Sequence, residues 1–160
     1  MVPWNLVSSS RSTGDWLGPG AGLEPADGAR IEILEDTSIA EPIRMHHVHW
    51  NVAAVPEMQA WYAKHFGAVP GKRGQFDAAD LPGVNLTFGR VAETNAGTRG
   101  RALDHVGFEI RNLAQFIARL EAAGAKMEGP MRKAGNGTTS IAFLTDPWGT
   151  YIELTEGLAP

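Results

Sequence analysis

The strongest constraint on the fold of this 160-residue chain is an internal duplication. From His46 to Val52 the side chains alternate, with Val48, Trp50 and Val52 on one face and His47, His49 and Asn51 on the other. A two-residue period predicts a strand. Beyond Pro56, the stretch Met58 to Phe66 sets Trp61, Tyr62 and Phe66 near helical spacing and ends at Gly67, which predicts a short amphipathic helix with a glycine cap. Two short extended pieces follow within Gly71 to Leu81, and a Pro82-Gly83 turn leads into a strand over Val84 to Val91. The second half repeats that order. A strand is predicted over Ala102 to Ile110, then a helix over Leu113 to Ala123 closed by Gly124. Further strands are predicted near Lys126–Arg132, Thr139–Leu144 and Thr150–Thr155, with Asp146-Pro147-Trp148-Gly149 as the turn joining the last two. One such module leaves a sheet face bare, whereas two can share a core. The expected fold is therefore α+β: two βαβββ modules, 44–91 and 102–156, in a domain over 44–157, forming a cupped, partly closed mixed sheet with helices outside. Ala92 to Gly100, polar and glycine-containing, reads as the linker.

Residues 1–43 read as an N-terminal extension. Within it, Gly28 to Leu34 parallels Gly149 to Thr155, so it resembles the last strand of an upstream module whose beginning is missing, or an added edge strand. The extension lacks a basic start followed by an apolar stretch, so it does not read as a signal peptide. No apolar run approaches the roughly 20 residues that span a bilayer. Charge is scattered, with a net value of −4 and no basic cluster, which argues against nucleic acid and anionic membrane as partners. The chain has no cysteine, so thiolate metal sites, disulfides and cysteine nucleophiles are all excluded. A cysteine-free chain fits the cytoplasm.

The apolar faces of the strands belong against the helices, which leaves unusually polar opposite faces. They carry His47, His49 and Asn51; Asn85 and Thr87; His105 and Glu109; Tyr151, Glu153 and Thr155. Unpaired burial costs each such group roughly 1–3 kcal/mol, so rows of them imply a wet cavity, a ligand site or a metal. His47 and His105 hold matching places at the starts of their modules' first strands. Glu153 sits on the last strand of the second module, and Asn85 is read as its counterpart in the first. Closing the sheets on each other is expected to gather these positions. Two imidazoles and a carboxylate can hold one divalent first-row ion (Zn, Ni, Fe, Mn or Co) and leave room for substrate. His49 or Glu109 could then carry a proton, as could Glu153 itself. Asn51, Asn85, Thr87 and Tyr151 would line the substrate pocket. His65, at a helix end, is expected to interact with C-terminal carbonyls. The arginines single out no anion site.

His47-Val48-His49-Trp50-Asn51-Val52, then Trp61-Tyr62 and Phe66-Gly67, then Asp104-His105-Val106-Gly107-Phe108-Glu109-Ile110, and Phe143 through Leu154 together resemble the vicinal oxygen chelate superfamily. That group includes glyoxalase I, extradiol dioxygenases and bleomycin-resistance proteins. The resemblance implies paired modules cupped around a divalent ion, with ligands at His47, His105 and Glu153. It implies a small-molecule substrate, and it allows a homodimer. A glyoxalase I-like lyase or isomerase is the leading expectation. A ring-cleaving extradiol dioxygenase and a non-catalytic antibiotic-binding resistance protein are the alternatives. Where glyoxalase I carries a second glutamate, this chain is read as carrying Asn85. Where extradiol enzymes carry a His and a Tyr, it has Gly135-Asn136-Gly137 and Phe143.

Overall fold

The computed structural model describes residues 20–23, 30–135 and 137–158. Gly28, Ala29 and Asn136 of the sequence readings lie outside them. The chain divides between Arg44 and Met45 into two compact units. In the first, strand β1 (Gly20–Leu23) pairs antiparallel with β2 (Ile31–Leu34). The expected strand is present, and its partner here is β1. Ile31 and Ile33 are exposed.

The second unit holds the duplication. Its first module runs β3 (His47–Val52), α1 (Val55–Phe66), β4 (Val69–Arg73), β5 (Phe76–Leu81) and β6 (Val84–Arg90). Its second runs β7 (Val106–Glu109), α2 (Leu113–Ala122), β8 (Arg132–Lys133), β9 (Ser140–Thr145) and β10 (Tyr151–Glu156). Each builds a four-stranded mixed sheet, in the orders β3-β6-β5-β4 and β7-β10-β9-β8. The first and last strands pair in parallel and the rest antiparallel. The fold is α+β, with two βαβββ modules.

Local chemistry explains most boundaries. Helix α1 begins at Val55 and carries Pro56 in its first turn, where a missing N–H costs no helical bond. Its end is closed by Gly67 at φ +74, the left-handed region that a side chain disfavours. Asn112 caps α2 by accepting from the Gln115 N–H. Two predicted strands shorten. Ala102 and Leu103 form a bend and Asp104 and His105 no regular element, so β7 starts only at Val106. Of Lys126–Arg132, an isolated bridge from Met127 to Leu144 and the short β8 are formed.

The two modules share one core. Trp50, Val52, Leu86 and Phe88 from the first sheet cluster with Leu144, Ile152 and Leu154 from the second, and with Met58, Tyr62, Leu113 and Leu120 from the helices. Phe66 of α1 meets Phe108 at 5.2 Å and Phe116 of α2 at 5.7 Å. Polar links fasten the same boundary. The Trp50 indole N–H donates to Thr150 Oγ1 at 2.9 Å, and the Tyr62 hydroxyl donates to Asp146 Oδ2 at 3.0 Å. The apolar, helix-bearing faces therefore meet each other inside one chain, and the polar faces are left open.

Asp146 also organises its own turn. Its Oδ1 accepts the Trp148 and Thr150 backbone N–H groups. Burial raises its carboxyl above the ordinary value of 3.8, with these donors and Tyr62 pulling against that rise. Burial, with the charge of Asp146 next in effect, also pushes the Tyr62 phenol well above 10.0, so it stays a donor. The expectation for His65 is corrected. The residue is buried against Trp61, with ring centroids 4.7 Å apart, and its Nδ1 has no hydrogen-bond partner among the described residues. Burial, then the neighbouring Lys64, lowers its pKa from 6.5, which keeps the ring neutral.

Candidate metal and substrate site

On the second module, β10 and the start of β7 place Glu153 and His105 side by side. His105 Nε2 lies 3.2 Å from Glu153 Oε2, and its other nitrogen, Nδ1, lies 2.9 Å from Asp104 Oδ1. Asp104 Oδ2 accepts the Gly100 N–H at 2.5 Å. The His105 bond, then the Gly100 bond, holds the Asp104 carboxyl below its usual value, so it is ionised and can only accept. His105 thus has the Asp104 carboxylate at Nδ1 and the Glu153 carboxylate at Nε2.

Beside this pair lies an aromatic platform. Tyr151 stacks on Phe143 with centroids 5.1 Å apart, and the Arg99 guanidinium lies 3.7 Å over the Tyr151 ring. Glu128 pairs with Arg99 and accepts from Thr145. The linker that carries Arg99 is thus part of the site. Thr98 N donates to Gly149 O, and Thr98 Oγ1 accepts from Tyr151 N. Gly97 and Gly149 lie so close that a Cβ on Gly97 would sit 2.6 Å from the Gly149 carbonyl oxygen.

On the first module, His47 contacts His46 through their Nδ1 atoms at 3.0 Å. His49 meets Phe76 edge-on at 5.0 Å. Asn85 is occupied on both sides: its Nδ2 donates to Asp80 Oδ1 and its Oδ1 accepts from Thr87, both at 2.7 Å. Gly89 lies on the same face, opposite Asn51. A Cβ there would stand 2.7 Å from Asn51 Oδ1 and 2.9 Å from His49 Nε2, so the missing side chain is what lets both groups lean inward. A cavity of about 150 Å³ opens at the β3 edge between His49, Asn51, Thr94, Thr98, Leu103 and Trp148.

Three sequence expectations change. His47 pairs across the sheet with Asn85, and Val106 with Ile152, which puts Tyr151 opposite His105. Matching His47 to His105 then makes Thr87, not Asn85, the counterpart of Glu153. Glu109 is engaged elsewhere: its carboxylate accepts from Thr155 Oγ1 and from the Gly157 and Leu158 N–H groups, clamping the end of β10. That engagement removes it as a ready proton carrier. Finally, among the described residues no three His, Asp or Glu side chains converge to hold a metal ion. His47 therefore does not join His105 and Glu153 within one chain. The back-to-back packing of the modules is the physical reason.

The pair itself suits a divalent ion. Two ligands at right angles and about 2.1 Å from a metal stand about 3.0 Å apart, close to the observed 3.2 Å. The sequence reading assigns Asp104, Arg99 and Gly89 no role at the site. A glycine inside a strand pattern is a signal of close approach, and it could have found Gly89. Nothing local marks Arg99.

With this geometry in place, comparison with known proteins gives the class. The model of the Glyoxalase/Bleomycin resistance protein/Dioxygenase superfamily matches residues 44–154. The chain belongs to this superfamily. Solved structures with the same fold include TioX from Micromonospora sp. ML1, at 20% identity and TM-score 0.59, covering 72% of this chain and 99% of that one. The fosfomycin resistance protein FosX from Listeria monocytogenes is 17% identical with TM-score 0.58, covering 76% of this chain and 96% of that one. A glyoxalase/bleomycin resistance protein/dioxygenase from Nocardioides is 16% identical with TM-score 0.57, covering 77% and 88%. No curated protein matches the sequence. Among the described residues no helix is long and apolar enough to cross a membrane.

Proposed function

We propose that this protein is a cytoplasmic metal-dependent enzyme that holds a small substrate by two adjacent oxygens, as a lyase or isomerase of glyoxalase type, with its site completed in a homodimer. The observation that carries this reading is the 3.2 Å approach of His105 Nε2 to Glu153 Oε2 on an open polar face. His105, Glu153 and the His47 of a second copy would hold a divalent ion of the Zn, Ni, Fe, Mn or Co class. When bound, such an ion supplies Lewis acidity to substrate oxygens. The packing supports the dimer. Each chain spends its apolar faces on its own core, which leaves either polar face for a second copy to close over as a cup. His49 then becomes the group that moves a proton, held against Phe76 on the face that His47 shares. Asn51 and Tyr151 orient the substrate. Thr87 and Asn85 line the floor as neutral groups.

One observation favours a second reading, a non-catalytic binder of a small toxic compound. The register gives the site a single carboxylate, with Thr87 where a second would stand.

Co-expression of His47→Ala and His105→Ala chains tests the composite site. Each variant alone is expected to lose divalent metal. The mixed dimer contains one site with all three ligands and recovers up to half of the wild-type stoichiometry. Metal retained by either variant alone overturns the ligand assignment. No recovery in a mixed dimer that forms overturns the shared site. Turnover of 2-oxoaldehyde adducts by the metal-loaded dimer supports the enzyme over the binder, and oxygen uptake with catechols and Fe(II) would transfer it to the dioxygenases.

A further inference from the structure

The residue before His105 has a geometry that its exposure does not explain. Asp104 is 44% exposed in its side chain, so its ion pair with His105 adds little to stability. Yet both carboxylate oxygens are committed, Oδ1 to His105 Nδ1 at 2.9 Å and Oδ2 to the Gly100 N–H at 2.5 Å. Gly100 in turn belongs to a tight loop. Arg101 N donates to Thr98 O, and Thr98 is tied to Gly149 O and to the Tyr151 N–H at the head of β10. Glu153 stands two residues further along that same strand. One loop, anchored on β10, therefore orients the imidazole against a carboxylate that β10 itself carries.

We propose that Asp104 is a positioning residue: it holds the proton of His105 on Nδ1 and so presents the Nε2 lone pair to a metal ion shared with Glu153. The inference rests on the metal reading above, and it assigns a task to a residue that reading left idle. An imidazole can ligate only through an unprotonated nitrogen, and the partner of its other nitrogen decides which one that is. Without Asp104 the single proton of neutral His105 has one strong acceptor left, Glu153, and settles on Nε2, where it blocks the metal.

Two measurements test this. The first is the ¹⁵N shifts of His105 in the metal-free dimer at mildly alkaline pH. The expected result is an Nδ1–H tautomer in the wild type that shifts toward Nε2–H in Asp104→Ala. The same tautomer in both proteins overturns the proposal. The second is Zn²⁺ titration by calorimetry, at matched thermal midpoints. Asp104→Ala is expected to weaken binding about 10–100-fold, as loss of a hydrogen-bonding partner to a ligand histidine does elsewhere. Asp104→Asn keeps an acceptor for Nδ1–H and should recover most of that loss. Unchanged affinity in Asp104→Ala overturns the assignment. If the wild type takes up no Zn²⁺ at all, the metal reading fails, and the tautomer measurement alone decides the role of Asp104.

Discussion

At the scale of single residues, the most consequential group away from the polar faces is Asp146. It is buried, it accepts two backbone N–H groups of its own turn, and it takes the hydroxyl of Tyr62 from the other module. Tyr62→Phe removes that last donor and leaves a buried carboxylate oxygen short of a partner, which costs about 1–3 kcal/mol. Chemical denaturation should show the loss, with an unchanged m-value if the fold is kept. The pH dependence has a definite sign. The folded pKa of Asp146 is raised, so its contribution to stability is complete below the unfolded value and disappears as pH climbs through the folded one. Asp146→Asn keeps the acceptor for both N–H groups and should flatten this part of the stability-pH curve. A curve as steep in the variant as in the wild type would show that the slope comes from elsewhere.

At the scale of elements, the alternation of polar and apolar residues made β3, β6 and β10 readable from sequence, because each sets its large apolar side chains on one face. Residues His105 and Glu153 were readable for the same reason. The linker was not. Its residues bear no periodicity, and their role depends on a backbone contact with a turn about fifty residues later, Gly97 against Gly149. Gly149, at φ +90, is tied into its turn by its N–H bond to Asp146 O. Gly97→Ala should therefore displace the linker, at a cost of about 1–3 kcal/mol. Hydrogen exchange checks it directly: the Thr98 amide, bonded to Gly149 O, and the Tyr151 amide, bonded to Thr98 Oγ1, should lose protection together. Continued protection of both would mean the chain absorbs the methyl group without moving.

At the scale of the whole molecule, the sequence announced two modules but not which faces meet. Alternation separates a polar face from an apolar one and is silent about what each apolar face packs against. That choice is made by pairs distant along the chain, Trp50 with Thr150 and Tyr62 with Asp146, and neither member of a pair advertises the other. The expected single-chain gathering of His47, His105 and Glu153 failed for this reason, although the strands themselves were correctly drawn. The same boundary has an optical consequence. Trp61 and Trp148 come from different modules and stand edge to face at 86°, with centroids 6.4 Å apart, while Trp50 is pinned by its own N–H across the seam. Three indoles in fixed, chiral mutual orientation make the near-ultraviolet dichroism of this protein a gauge of module docking. It should fade when the halves part, even while far-ultraviolet ellipticity still reports intact strands and helices.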